Sequence, residues 1–98
     1  VRKYTLAPVT KLAIRKTFVA DKSKTDEDYS SLFEISKTTL CVVTQEVRRA
    51  KADAASIVRA LFEKESGDTS PEAWDAANVA ADQLIGAQRA KACQRFAA

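Results

Sequence analysis

Ninety-eight residues, 46% of them apolar and 30% charged, leave room for one small hydrophobic core. Two glycines and two prolines are too few to punctuate a β-sandwich or barrel, while abundant Ala, Lys, Glu, Gln, Arg and Leu favour helix. The lack of histidine removes the commonest general base and metal ligand, and the net charge of +3 conceals a basic amino-terminal quarter, where Arg2, Lys3, Lys11, Arg15, Lys16, Lys22 and Lys24 stand against Asp21 alone.

Pro8 suits the first turn of a helix, where its missing N–H costs nothing. Val9, Leu12, Ala13, Ile14 and Phe18 then supply an apolar face, so the first helix is expected over 8–20. Thr25 followed by Asp26, Glu27 and Asp28 reads as a hydroxyl cap with three acids at the positive end of a helix dipole. Beyond it, Tyr29, Leu32, Phe33, Leu40, Val43, Val47, Ala50, Ala54, Val58 and Leu61 keep close to a 3.6-residue period as far as Phe62. The oxygens of Ser36, Thr38 and Thr39 compete for the local backbone and interrupt that stripe. The spacing therefore predicts a short helix over 26–36 and a long one over 39–65.

Ser66-Gly67-Asp68-Thr69-Ser70-Pro71-Glu72 is the strongest loop signal: glycine ends one helix, serine caps the next and proline opens it. The last helix is expected over 71–96, with Trp74, Ala77, Ala81, Leu84, Ile85, Gln88 and Ala92 on one face and Phe96 closing it. The expected fold is all-α: one domain over 1–98, an up-down-up-down four-helix bundle with two short amino-terminal helices and a long carboxy-terminal hairpin.

Much of the apolar share is alanine, so the core should be thin and in need of a staple. Counted from a loop centred near Asp68, Cys41 lies 27 positions back and Cys93 lies 25 positions on. The mismatch of two residues is about 3 Å along the axis of an antiparallel pair. A Cys41–Cys93 disulfide is the resulting expectation, worth about 3–4 kcal/mol in the chain-entropy model. The chain starts at Val1 and has no methionine, which favours a removed leader. Together these point to an oxidising compartment outside the cytosol, whether secretory, periplasmic or an organelle lumen. No stretch approaches the roughly 18–20 apolar residues that span a bilayer, so no transmembrane segment is expected.

Catalytic chemistry has little to stand on. Gly67 and Gly86 are isolated and form no phosphate-cradling loop, no Cys-x-x-Cys is present, and capping accounts for the acids at 26–28. No enzyme activity, metal or cofactor is expected. Arg48, Arg49, Lys51 and Arg59 read as a solvated face that pairs with Glu46, Asp53 and Glu63. One nearby aromatic, Tyr4, and no recognition motif argue against nucleic acid. The basic cluster Arg2, Lys3, Lys11, Arg15, Lys16, Lys22 and Lys24 is instead the expected surface for docking onto an acidic protein partner.

The four expected helices from Pro8 to Phe96, together with clustered Lys11, Arg15, Lys16, Lys22 and Lys24, make the chain similar to the PsbQ-like extrinsic subunits of photosystem II, including the diatom form. That resemblance implies a thylakoid-lumen protein that docks on the acidic lumenal face of the complex. It would support the calcium and chloride requirement of oxygen evolution without ligating the metals. The proline-rich arm of the plant form is missing. The rival expectation is a secreted or periplasmic helical inhibitor or immunity protein that blocks an enzyme.

Overall fold

A computed structural model describes residues 6–20, 25–50 and 53–97. Every regular element among them is helical: α1 (Pro8–Ala20), α2 (Asp26–Phe33), α3 (Lys37–Ala50), α4 (Ala54–Ser66) and α5 (Pro71–Ala97). The ends follow local chemistry. Pro8 takes the first position of α1, and the amide of Lys11 bonds the carbonyl of Ala7 at 3.1 Å. Thr25 caps α2 in a capping box: its hydroxyl accepts from Asp28 N–H while the Asp28 carboxylate accepts from Thr25 N–H.

α2 stops at Phe33, three residues short of expectation, because Glu34 turns into the left-handed region at φ 57° and Ile35 N–H bonds Ser30 C=O at 3.0 Å. Ser36 then accepts from Thr39 N–H at 3.1 Å and starts α3. At the other strong boundary Gly67 adopts φ 75° with its N–H on Glu63 C=O, and Ser70 caps α5 through Ala73 N–H at 3.2 Å.

The expected single helix over 39–65 is corrected. α3 ends at Ala50 and α4 begins at Ala54, with Asp53 at φ −102°, ψ 27° in non-helical geometry. No glycine or proline marks the place. The two shorter helices each fold onto α1 and onto each other.

α1 is the centre of the arrangement and packs against all four other helices. Leu12, Ala13 and Ile14 have no exposed surface at all. Around them gather Tyr29, Leu32 and Phe33 of α2, Leu40, Val43 and Val47 of α3, Ala54, Val58 and Phe62 of α4, and Ala77 and Ala81 of α5 in one connected core. Two buried hydroxyls are satisfied locally, Thr17 on Ala13 C=O at 2.9 Å and Thr44 on Leu40 C=O at 2.8 Å. Phe18 tilts against Tyr29 at 5.6 Å, and Phe62 against Trp74 at 5.7 Å.

The long hairpin expected between 39–65 and the last helix is not formed. Among the described residues the backbones of α3 and α4 do not pack along α5; Phe62 and Arg59 reach Trp74 only through long side chains. The level-matching of Cys41 and Cys93 falls with it. Both thiols are unpaired and exposed, and the expected disulfide is corrected accordingly.

Candidate docking surface

The basic cluster read from the sequence is largely folded inward. Arg15 is 5% exposed. Its Nε donates to Val43 C=O at 2.8 Å, and its two terminal nitrogens grip Glu65 at 2.8 and 3.2 Å. Such a bidentate, nearly buried pair is the strong form of the interaction, and it joins α1, α3 and α4 at one point. Lys11, one turn earlier on the same face, reaches Glu65 at 3.4 Å. Burial by itself disfavours the Glu65 carboxylate, but the hydrogen bonds and charges of Arg15 and Lys11 outweigh it and hold the pKa below its ordinary value.

Lys16 reaches the other way, to Asp82 at 2.8 Å and Asn78 Oδ1 at 2.9 Å on α5. Arg15 is therefore corrected from a surface contact to an internal clamp, and Lys11 and Lys16 are half-buried with acidic partners. Arg2, Lys3, Lys22 and Lys24 lie outside the described residues, as do Lys51 and the side chain of Phe96.

The face of Arg48, Arg49 and Arg59, expected to be solvated and paired at helical spacing, forms the expected Arg59–Glu63 pair and is otherwise more structured than expected. Arg48 lies over the Phe18 ring at 4.6 Å, donates to Thr44 Oγ1 at 2.8 Å and pairs with Asp26 at 3.0 Å. Arg59 stacks over Trp74 at 5.5 Å and pairs with Glu63 at 3.4 Å. Arg49 stands exposed on the outer side of α3.

Two hollows meet on α3. One, of about 340 Å³, lies between the start of α1, α3 and the end of α4, with Leu6, Thr38, Thr39, Val42 and Val43 around the Lys11–Arg15–Glu65 cluster. The other, of about 420 Å³, is an open groove lined by Cys41, Val42, Gln45, Arg48 and Arg49. Val42 belongs to both and is 66% exposed. Of the four cations that line the pair, Lys11 and Arg15 are held by Glu65 and Arg48 by Asp26, so these groups carry a net of two positive charges around an apolar knob, with Arg49 exposed beside it. Sequence reasoning missed Val42 because it sits one position from the core residue Val43 and reads as part of the same apolar run. Its offset of one residue, about 100° around the helix, was the available signal.

A third hollow, of about 240 Å³, is lined by Lys16, Val19, Ala20, Ala55, Val58, Trp74 and Asn78. Among the described residues no group of three or more Cys, Asp or Glu side chains is placed to hold a metal ion, and no helix is long and apolar enough to cross a membrane. The unpaired thiols withdraw one of the two grounds for an oxidising compartment. Compared with known proteins, the chain matches no family model, no curated protein and no solved structure.

Proposed function

We propose that the chain is a non-enzymatic docking domain that binds an acidic protein surface through the two hollows that meet at Val42. The observation that carries this reading is a large apolar side chain, two-thirds exposed, beside exposed Arg49 and half-buried Lys11 and Arg48, where the cations outnumber their partners Glu65 and Asp26. An apolar contact ringed by charge is the composition of a recognition patch: the core of the contact supplies affinity and the rim steers the approach.

Titration with an acidic peptide bearing a central leucine, against a lysine-rich peptide of the same length, tests it. The acidic peptide should bind, lose most of its affinity at about 1 M salt where the screening length is near 3 Å, and bind about tenfold more weakly to Val42→Asp. Equal binding of both peptides, or full binding by Val42→Asp, would discard the reading.

In a narrower form of the reading the acidic surface is the lumenal face of photosystem II and the chain is an extrinsic subunit. Its all-helical class supports this form, whereas the long hairpin that the resemblance included does not. Rebinding to salt-washed photosystem II membranes, with oxygen evolution as readout, decides it. Binding to an enzyme target that survives the same salt would favour the inhibitor class instead.

A further inference from the structure

α5 is about 40 Å long, close to the molecule's longest extent of 43 Å, and one side of it meets the rest of the fold. Ala77 and Ala81 are buried, and Trp74, Leu84, Ile85 and Ala92 are partly so. The opposite side repeats with heptad spacing through Ala76, Val79, Gln83, Gly86, Ala90 and Cys93, and all six are exposed. Val79 is 58% exposed. At about 100° per residue, the middle of this seam lies diametrically across the helix from the core face.

The seam contains a glycine that the fold of one copy does not use. Gly86 is in the interior of a 27-residue helix, where glycine is disfavoured relative to alanine. A Cβ at Gly86 would meet nothing within 4 Å. A residue that weakens its own helix without relieving any contact there is accounted for when a second backbone comes close at that point.

Charge then selects the partner and its direction. Asp75, Asp82 and Arg89 follow one flank of the seam at seven-residue intervals and are all exposed. Near the seam Glu72, Asp75 and Asp82 precede the glycine and Arg89 follows it, whereas Lys91 turns to Glu34 of its own fold at 3.7 Å. We infer that the outer face of α5 is the interface of an antiparallel homodimer, with a second copy of this chain laid along Ala76–Cys93. In that register Asp82 of each copy faces Arg89 of the other.

Size follows charge: Val79 comes opposite Ala90, and Gln83 opposite Gly86. A parallel pair would set Asp75, Asp82 and Arg89 against Ala80, Ala87 and Gln94 of the mate, leaving those charges without a counter-charge, and would oppose two glycines across an unfilled gap. Asp82 holds Lys16 at 2.8 Å, yet its side chain is 65% exposed and open to a second cation. One pair of helices buries less than the roughly 1,600 Å² of a standard interface, so the association is weak and reversible. The surface at Val42 lies on α3 and takes no part in it.

Sedimentation equilibrium of the full chain, from micromolar to near-millimolar concentration, reads the association directly. Wild type should pass from monomer to dimer. Gly86→Leu should weaken association roughly tenfold or more, as a leucine forced between close-packed helices does. Its thermal melt in dilute solution should be unchanged or higher, since that side chain enters open solvent. Arg89→Asp should weaken association at low salt, and the double variant Asp82→Arg, Arg89→Asp should restore it. A wild type that stays monomeric throughout, a Gly86→Leu that dimerises as well as wild type, or an Arg89→Asp with undiminished association would each overturn the proposal.

Discussion

α1 carries Lys11, Arg15 and Lys16 in 13 residues and lies inside the molecule, while α5 carries nine alanines in 27 residues and leaves one side in solvent. The reversal has a geometric cause. Leu12, Ala13 and Ile14 are consecutive and sweep about 200° of helix circumference, so a helix that buries all three must be covered from several directions. Its cations then have to find acids inside the fold, and Glu65 and Asp82 provide them. α5 presents small side chains over most of its surface, so one side lies closely along α1, with a smaller contact to α2, and the other side stays in solvent. Charge along a chain therefore says little about surface until the circumference of apolar residues beside it has been counted.

The sharpest way to break this contrast is to cut into each helix. Leu12→Ala, at a position with no exposed surface, should cost about 3 kcal/mol, against about 1 kcal/mol for half-buried Leu84→Ala. Denaturant melts of the two variants compare them directly, and equal losses would contradict the central placement of α1.

Charge removal should divide the helices in the same way. Arg15→Ala strips a nearly buried pair and leaves Glu65 with Lys11 alone, at a cost of about 2–3 kcal/mol. Arg89→Ala on exposed α5 should stay within about 0.5 kcal/mol in dilute solution. Similar losses in both would place Arg15 back in solvent.

The pH dependence sharpens the same point at smaller amplitude. The Glu65 pKa is lowered in the fold from its ordinary 4.5, so its contribution is fully present above that value and is lost as pH falls through the lowered folded pKa. Wild type should exceed Glu65→Gln in stability at neutral pH, and the two should converge in acid. A gap that stays constant with pH would remove the Arg15–Glu65 clamp from the account. The smallest effect is a gain: Gly86→Ala should raise the stability of dilute protein by about 0.5–1 kcal/mol, because nothing in the monomer needs the glycine.

Where the sequence carried local chemistry, its reading matched the structure. The Pro8 start, the Thr25 cap, the Ser36 interruption, the Gly67–Ser70 loop and the face of α5 through Ala77 and Ala81 are all set within a turn or two of the residues that signal them. What was not legible depended on partners far along the chain. The break between Ala50 and Ala54 contains no glycine or proline, and the halves on either side of it both fold onto α1. The cysteine pairing assumed a straight helix over 39–65, and the break turned an axial count into a wrong register. The acids that pull Arg15 and Lys16 inward are 50 and 66 positions away, beyond any periodicity argument.

The central place of α1 also orders events in time. Synthesis proceeds from the amino terminus at about 5–20 residues per second, so α1 is made before the four helices that cover it. Its shell is incomplete until Ala81 and Asp82 of α5 have followed. Until then the nascent chain carries Leu12 and Ile14 without the surfaces that cover them. Folding of this unit is therefore a collective event in which α5 closes over α1.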